Sequence, residues 1–169
     1  MLRRARFIIY NQYMKILFIC SSNICRSPFC EYVFGRMVKE DPALSAKVTS
    51  VRSAAVFNRS FRIHPKARLA LLREGFTEEE ISAHKPAFKW GDGYLFKQAD
   101  VIIGMTKMNK VALPLRYHKK FVTLSEYVDG YYTTIPDPFL MKNIDDYYAV
   151  MDLIKGFLVK LADKIKNET

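Results

Sequence analysis

Residues 20–28 read Cys-Ser-Ser-Asn-Ile-Cys-Arg-Ser-Pro, a cysteine and an arginine separated by five residues, four of them small or polar. Such a loop can curl so that successive backbone N–H groups point inward and form an anion-binding nest. Arg26 adds a planar, permanently charged fork that can hold two oxygens of one phosphate. In that electropositive cradle Cys20 is expected to ionise readily, and the thiolate is the reactive form of the residue. A thiolate, an arginine and backbone donors around one tetrahedral anion are the parts needed for phosphoryl transfer through a cysteinyl-phosphate. Ser27 suits an N-cap and Pro28 a first helical position, so the helix dipole is expected to face the same anion.

The surrounding elements must place this loop. Lys15-Ile-Leu-Phe-Ile19 runs into Cys20 as a continuous apolar strand of the kind parallel sheets bury. Phe29, Val33, Phe34 and Met37 mark one face of a helix reaching about Lys39. Lys47 to Arg52 reads as a second strand, Val101 to Gly104 as a third and Phe121 to Leu124 as a fourth. Pro65 to Glu74 reads as a helix with Gly75 past its end. A closing helix carries an apolar stripe of Tyr147, Val150, Met151, Ile154, Leu158, Leu161 and Ile165. Alternating strands and helices predict an α/β fold: a doubly wound, four-stranded parallel sheet flanked by helices, with the phosphate-binding loop between the first strand and first helix. Ligands in such sheets bind beyond the carboxyl ends of the strands, where Cys20 falls.

Composition sets outer limits. The 169 residues suit one domain, half of them are hydrophobic, and 7 Gly with 7 Pro argue against a disordered or fibrous chain. No apolar run approaches the roughly 20 residues of a membrane span. Residues 1–13 carry Arg3, Arg4 and Arg6 but neither the apolar region nor the cleavage site of a signal peptide. They are expected to be an extension outside a single domain of residues 14–169. Net charge is +10, and setting aside those three arginines leaves 24 basic against 17 acidic residues, or +7. Anionic partners are favoured either way. Three cysteines within eleven residues do not form a secreted disulfide framework, and a reducing cytoplasm is expected.

The chain resembles the low-molecular-weight protein tyrosine phosphatases. The likeness runs from Met14 nearly to the C-terminus through Ile16–Pro28 with Glu31, Ser53-Ala54-Ala55, His64-Pro65-Lys66-Ala67, Gly75-Phe76, Ser82-Ala83-His84-Lys85, Ala99–Met105 and Pro136-Asp137-Pro138-Phe139. It implies that Cys20 is the nucleophile, Arg26 the phosphate clamp and Asp137 the general acid and then base. By itself Asp137-Pro138 is an ordinary turn. The resemblance further implies that Ser27 donates to the thiolate and that Asn23, Ser53 and His84 hold the loop formed with Ser21, Ser22, Ile24 and Cys25. Cys25 matches the family's second loop cysteine, able to form a disulfide with Cys20 on oxidation. Cys30 reads as core filler, and His64 and His118 as surface histidines. Neither metal nor cofactor is implied.

Departures from the family pattern carry their own expectations. Ser22 replaces a usual glycine and is strained if that position needs a glycine-only conformation. Residues 56–64 are about two residues shorter than usual. That leaves Phe57 or Phe61 as one aromatic wall of the pocket, with Phe139 as the other. Relatives acting on phosphoarginine tend to carry threonine where Ile24 stands, so isoleucine favours phosphotyrosine in protein substrates. The alternatives are a phosphoarginine phosphatase and a non-catalytic phosphotyrosine-binding module. An arsenate reductase needs a cysteine pair downstream, and none follows Cys30. Arg52, Arg59, Arg62 and Lys66 lack a nucleic-acid-reading motif and read as a solvated basic face. No nucleic-acid partner, no membrane insertion and a monomer or weak self-association are expected.

Overall fold

A computed structural model describes residues 13–168. The expected extension, Tyr13 excepted, lies outside the described residues. Strands β1 (Met14–Cys20), β2 (Val48–Ala55), β3 (Val101–Gly104) and β4 (Phe121–Thr123) form one sheet in the order β2-β1-β3-β4, every pair parallel. The helices are α1 (Arg26–Glu40), α2 (Pro42–Ser45), α3 (Pro65–Arg73), α4 (Glu78–Ser82), α5 (Gly93–Gln98), α6 (Met108–Ala112), α7 (Leu124–Asp129) and α8 (Ile144–Asn167). Two 3₁₀ turns, Leu115–Lys120 and Pro138–Leu140, complete the set.

The pleat of β1 explains why that strand is apolar without alternation. Ile16, Phe18 and Cys20 point into a core shared with α1, α3 and α8, while Leu17 and Ile19 point into a second core under α5 and α6. Every residue of the closing stripe from Tyr147 to Ile165 is buried on α8. That helix is capped by Asn143, whose side chain accepts the Asp145 N–H at 2.9 Å. Asp145 and Asp146 in its first turn and Lys164 and Lys166 in its last complement the dipole.

Three boundaries differ from the sequence reading, each for a local reason. β2 runs on to Ala55 because Ser53, Ala54 and Ala55 pair with Phe18, Ile19 and Cys20. β4 stops at Thr123, whose hydroxyl accepts the Glu126 N–H in a capping box that starts α7 at Leu124. Helix α1 begins at Arg26 after Cys25, so Ser27 and Pro28 are its second and third residues rather than cap and first residue. The Ser27 hydroxyl is turned back toward Cys20 instead.

Candidate active site

β1 ends at Cys20 in the middle of the sheet, and the chain reaches α1 through five residues. Their carbonyls face outward. Cys20 O accepts from Val56 N–H (3.1 Å), Ser21 O from Phe57 and Asn58 N–H (3.0 and 2.9 Å), Ile24 O from His64 N–H (3.0 Å) and Cys25 O from Phe29 N–H (3.3 Å). Asn23 O is held by His84 Nε2 at 3.1 Å. Among the described residues, no backbone N–H from Ser21 to Ser27 has a protein acceptor. A loop whose carbonyls are bonded to the surrounding segments and whose N–H groups are left without protein acceptors has the donors an anion nest needs.

One residue makes that turn possible. Asn23 sits at φ 55°, the only non-glycine with positive φ among the described residues. Asparagine tolerates this left-handed geometry better than most side chains. Ser22 is therefore not the strained position that the missing glycine suggested; its hydroxyl accepts from Asn58 Nδ2 at 3.2 Å. The Asn23 side chain is fully buried and bonded three times. Oδ1 accepts the Ala87 N–H at 3.0 Å, which fixes the amide orientation, and Nδ2 donates to Ser27 Oγ and Ser53 Oγ, both at 2.8 Å.

The bonds have a direction. Because Ser27 Oγ already accepts from Asn23, its own proton is available to Cys20 Sγ, 2.9 Å away. Ser53 in turn donates to Glu31 Oε2. Burial raises the Glu31 carboxyl above its ordinary range, while the Ser53 bond and Arg52 at 3.7 Å pull the other way. His84 can hold a carbonyl only through Nε2–H. Its ring is pushed below the ordinary 6.5, chiefly by burial.

Arg26 is 4% exposed. Its Nη1 donates to Ile135 O at 3.1 Å, and no other hydrogen-bond partner of the fork is found among the described residues. Nη2 lies 3.7 Å from Asp137 Oδ2, so the two side chains share one opening. Asp137 caps the following 3₁₀ turn by accepting the Phe139 N–H at 3.1 Å, and its carboxylate stays about half exposed. Phe139 is exposed beside it, and Phe57, anchored through its backbone to Ser21, stands against the loop. Phe61 is 82% exposed.

Three residues gained a place the sequence reading did not give them. His64 is no free surface histidine: its N–H binds Ile24 O, its ring is edge-on to Phe139 (5.5 Å) and stacked on Tyr147 (6.0 Å), and its Nδ1 caps α3. Its place before Pro65, the first residue of that helix, was the available signal. Lys66 Nζ donates to the Met141 and Lys142 carbonyls, binding the acid segment to α3 rather than joining a solvated basic face. Tyr147, read only as core, puts its buried hydroxyl against Cys25, and no hydrogen-bond partner for that hydroxyl is found among the described residues. All three cysteines are free, and burial pushes the Cys25 thiol up to about 12. Cys30 is fully buried, with its sulfur 4.0 Å from that of Met105.

Comparison with known proteins places the chain in a family. The family model of low molecular weight phosphotyrosine protein phosphatases matches residues 15–169. A protein-arginine-phosphatase from Bacillus subtilis is 32% identical over 92% of this chain and 99% of its own. PtpB of Staphylococcus epidermidis, a low molecular weight protein-tyrosine-phosphatase, is also 32% identical, over 90% of this chain and 97% of its own. Among solved structures, a YwlE mutant from Bacillus subtilis superposes with a TM-score of 0.77 at 30% identity, covering 91% of this chain and 99% of that one. The chain belongs to the low molecular weight phosphotyrosine protein phosphatase family.

Two outcomes follow from the network. Asn23→Ala strands Ser27, Ser53 and the Ala87 N–H and leaves an alanine at positive φ. It should cost about 2–4 kcal/mol in urea unfolding and lower kcat together with stability. His84 should titrate below 6.5 by NMR. Since the unfolded chain binds that proton first, the His84 contribution to stability is present above 6.5 and lost as pH falls below it.

Proposed function

We propose that this protein hydrolyses phosphotyrosine in protein substrates through a cysteinyl-phosphate, without a metal. The observation that carries this reading is the ring of inward N–H groups around Cys20, with Arg26 and Asp137 at its opening. The nest and the Arg26 fork hold the three non-bridging phosphate oxygens. Cys20 Sγ attacks phosphorus, the S–P bond forms and the P–O bond to the tyrosyl oxygen breaks. Asp137 gives its proton to that oxygen as it leaves. The Asp137 carboxylate then takes a proton from water, water oxygen attacks phosphorus, and the S–P bond breaks to return thiolate and inorganic phosphate. The Ser27 hydroxyl stabilises the sulfur anion at both ends of the cycle. A positioned acid of this kind contributes about 10²–10⁴-fold.

Phe139 and Phe57 beside the opening, with Ile24 in the loop, favour a flat aryl ester. Phosphoarginine is the second reading. It is favoured by the resemblance to the Bacillus subtilis protein-arginine-phosphatase and to YwlE, and it uses the same loop. The three free thiols support a reducing cytoplasm as the place of action. Nothing in the catalytic scheme requires more than a monomer.

The test is kcat/KM in EDTA on two peptides of one sequence, phosphorylated on tyrosine or on arginine. Preference for phosphotyrosine by tenfold or more supports the main reading, and the reverse ratio establishes the second. Cys20→Ser should abolish hydrolysis of both. Asp137→Ala should lose rate steeply with aryl phosphates of poor leaving group and little with good ones; uniform behaviour across leaving groups would remove Asp137 from its role.

A further inference from the structure

Charge is unevenly distributed over the chain. From Lys85 to Lys120 there are eight lysines and arginines against two carboxylates, Asp92 and Asp100. Both carboxylates are engaged by backbone N–H groups, Asp92 by Phe88 at 2.9 Å and Asp100 by Lys15 at 2.8 Å. This stretch supplies α5, α6 and the Leu115–Lys120 turn, which with β1 and β3 enclose the second core, around Leu17, Ile19 and Ile102. The pieces are tied to one another. Lys89 Nζ donates to Ala112 O at 2.7 Å, Lys120 Nζ to Lys97 O and Ala99 O at 3.0 and 2.7 Å, and the Phe96 and Tyr117 rings lie 6.0 Å apart.

Large apolar side chains stand outward from this layer. Met108 is 60% exposed, Val111 73%, Leu115 82% and Trp90 59%. The exposed cations Lys85, Lys97, Lys110, Arg116 and Lys119 share the stretch with them. Lys107 pairs with Glu126 at 3.6 Å and is not counted with these. Exposed aliphatics among lysines cost solubility and add nothing to the catalytic site, so a partner that uses both is called for.

We propose that this face adsorbs to an anionic lipid surface. Met108, Val111, Leu115 and Trp90 enter the boundary between headgroups and acyl chains, while the lysines extend to anionic headgroups. No helix of the described residues is long and apolar enough to cross a membrane, so the contact is superficial. The composition separates lipid from the other anionic partners. A nucleic acid backbone gives no return on exposed aliphatics and is gripped best by arginine, whereas the stretch has seven lysines and one arginine. Protein interfaces are depleted in lysine and enriched in arginine, again the opposite balance. Ala87 in this stretch holds Asn23, but the side chains of Lys110, Val111, Leu115 and Lys119 are exposed and belong to neither the phosphate loop nor the acid segment, so attachment and catalysis are separable by substitution at those four positions.

The experiment is co-sedimentation of the full chain with vesicles, either pure phosphatidylcholine or containing phosphatidylglycerol, at low and high salt. Hydrolysis of a small aryl phosphate reports the integrity of each variant. Binding should require phosphatidylglycerol and weaken with salt. Val111→Ser with Leu115→Ser should lower the partition coefficient roughly tenfold. Lys110→Gln with Lys119→Gln should lower it by roughly tenfold or more. Both variants should keep the aryl phosphatase rate. Failure to bind anionic vesicles at low salt overturns the proposal. So does binding that the aliphatic pair leaves unchanged; if random duplex DNA then competes for it, the face is a nucleic-acid surface instead.

Discussion

The catalytic end of this protein depends on one left-handed residue. Asn23 reverses the loop at φ 55°, and its side chain holds the reversal through Ala87, Ser27 and Ser53. Those partners come from three separate parts of the chain: the segment leading to α5, helix α1 and strand β2. With Asn23 in place, the loop carbonyls meet His84, His64 and the Val56–Asn58 segment, and the loop N–H groups are left without protein acceptors among the described residues. The anion site is therefore a product of where carbonyls find partners, and only one of its charges, Arg26, is a side chain.

The same network sets the chemistry of the sulfur. The Asn23 amide donates to Ser27 Oγ and leaves the serine proton available to Cys20. Arg26, deeply buried and steadied by Ile135 O, has no further hydrogen-bond partner among the described residues, and Asp137 lies 3.7 Å away. His64 and Lys66 bring the acid segment to the loop from a third direction, through Ile24 O, the Phe139 ring and the Met141 and Lys142 carbonyls. The +10 net charge contributes little to this site. Much of it lies outside the loop that does chemistry, as in the stretch from Lys85 to Lys120 with eight basic and two acidic residues.

The parts of the fold legible in the sequence were those set by burial. β3 and the stripe of α8 are continuous or periodic apolar patterns, and they occupy the residues that those patterns mark. Cys20 and Arg26 were legible because strand, loop and helix are adjacent in sequence. Asp137 was legible through family resemblance alone, since an Asp-Pro turn carries no local sign of what faces it. The short helices α2, α4, α5, α6 and α7 are too brief to show a periodicity, and capping side chains start three of them, α2, α4 and α7. Ser27 resembled an N-cap in type and spacing, but a bond to Cys20 seven residues away outweighed the local preference. His64 and Lys66 act on groups 40 or more residues distant in sequence, and no local pattern records such partners.

The claim on which all of this rests is that the nest around Cys20 passes a phosphoryl group through that sulfur. Rapid quenching of the wild-type protein during turnover of an aryl phosphate with a good leaving group, followed by peptide fragmentation, tests it directly. The account predicts one phosphoryl group on Cys20, formed in a burst equal to the enzyme present, and none on Cys25 or Cys30. A phosphoryl group on any other residue, or turnover with no covalent species and no burst when dephosphorylation is slowed by Asp137→Ala, would contradict it.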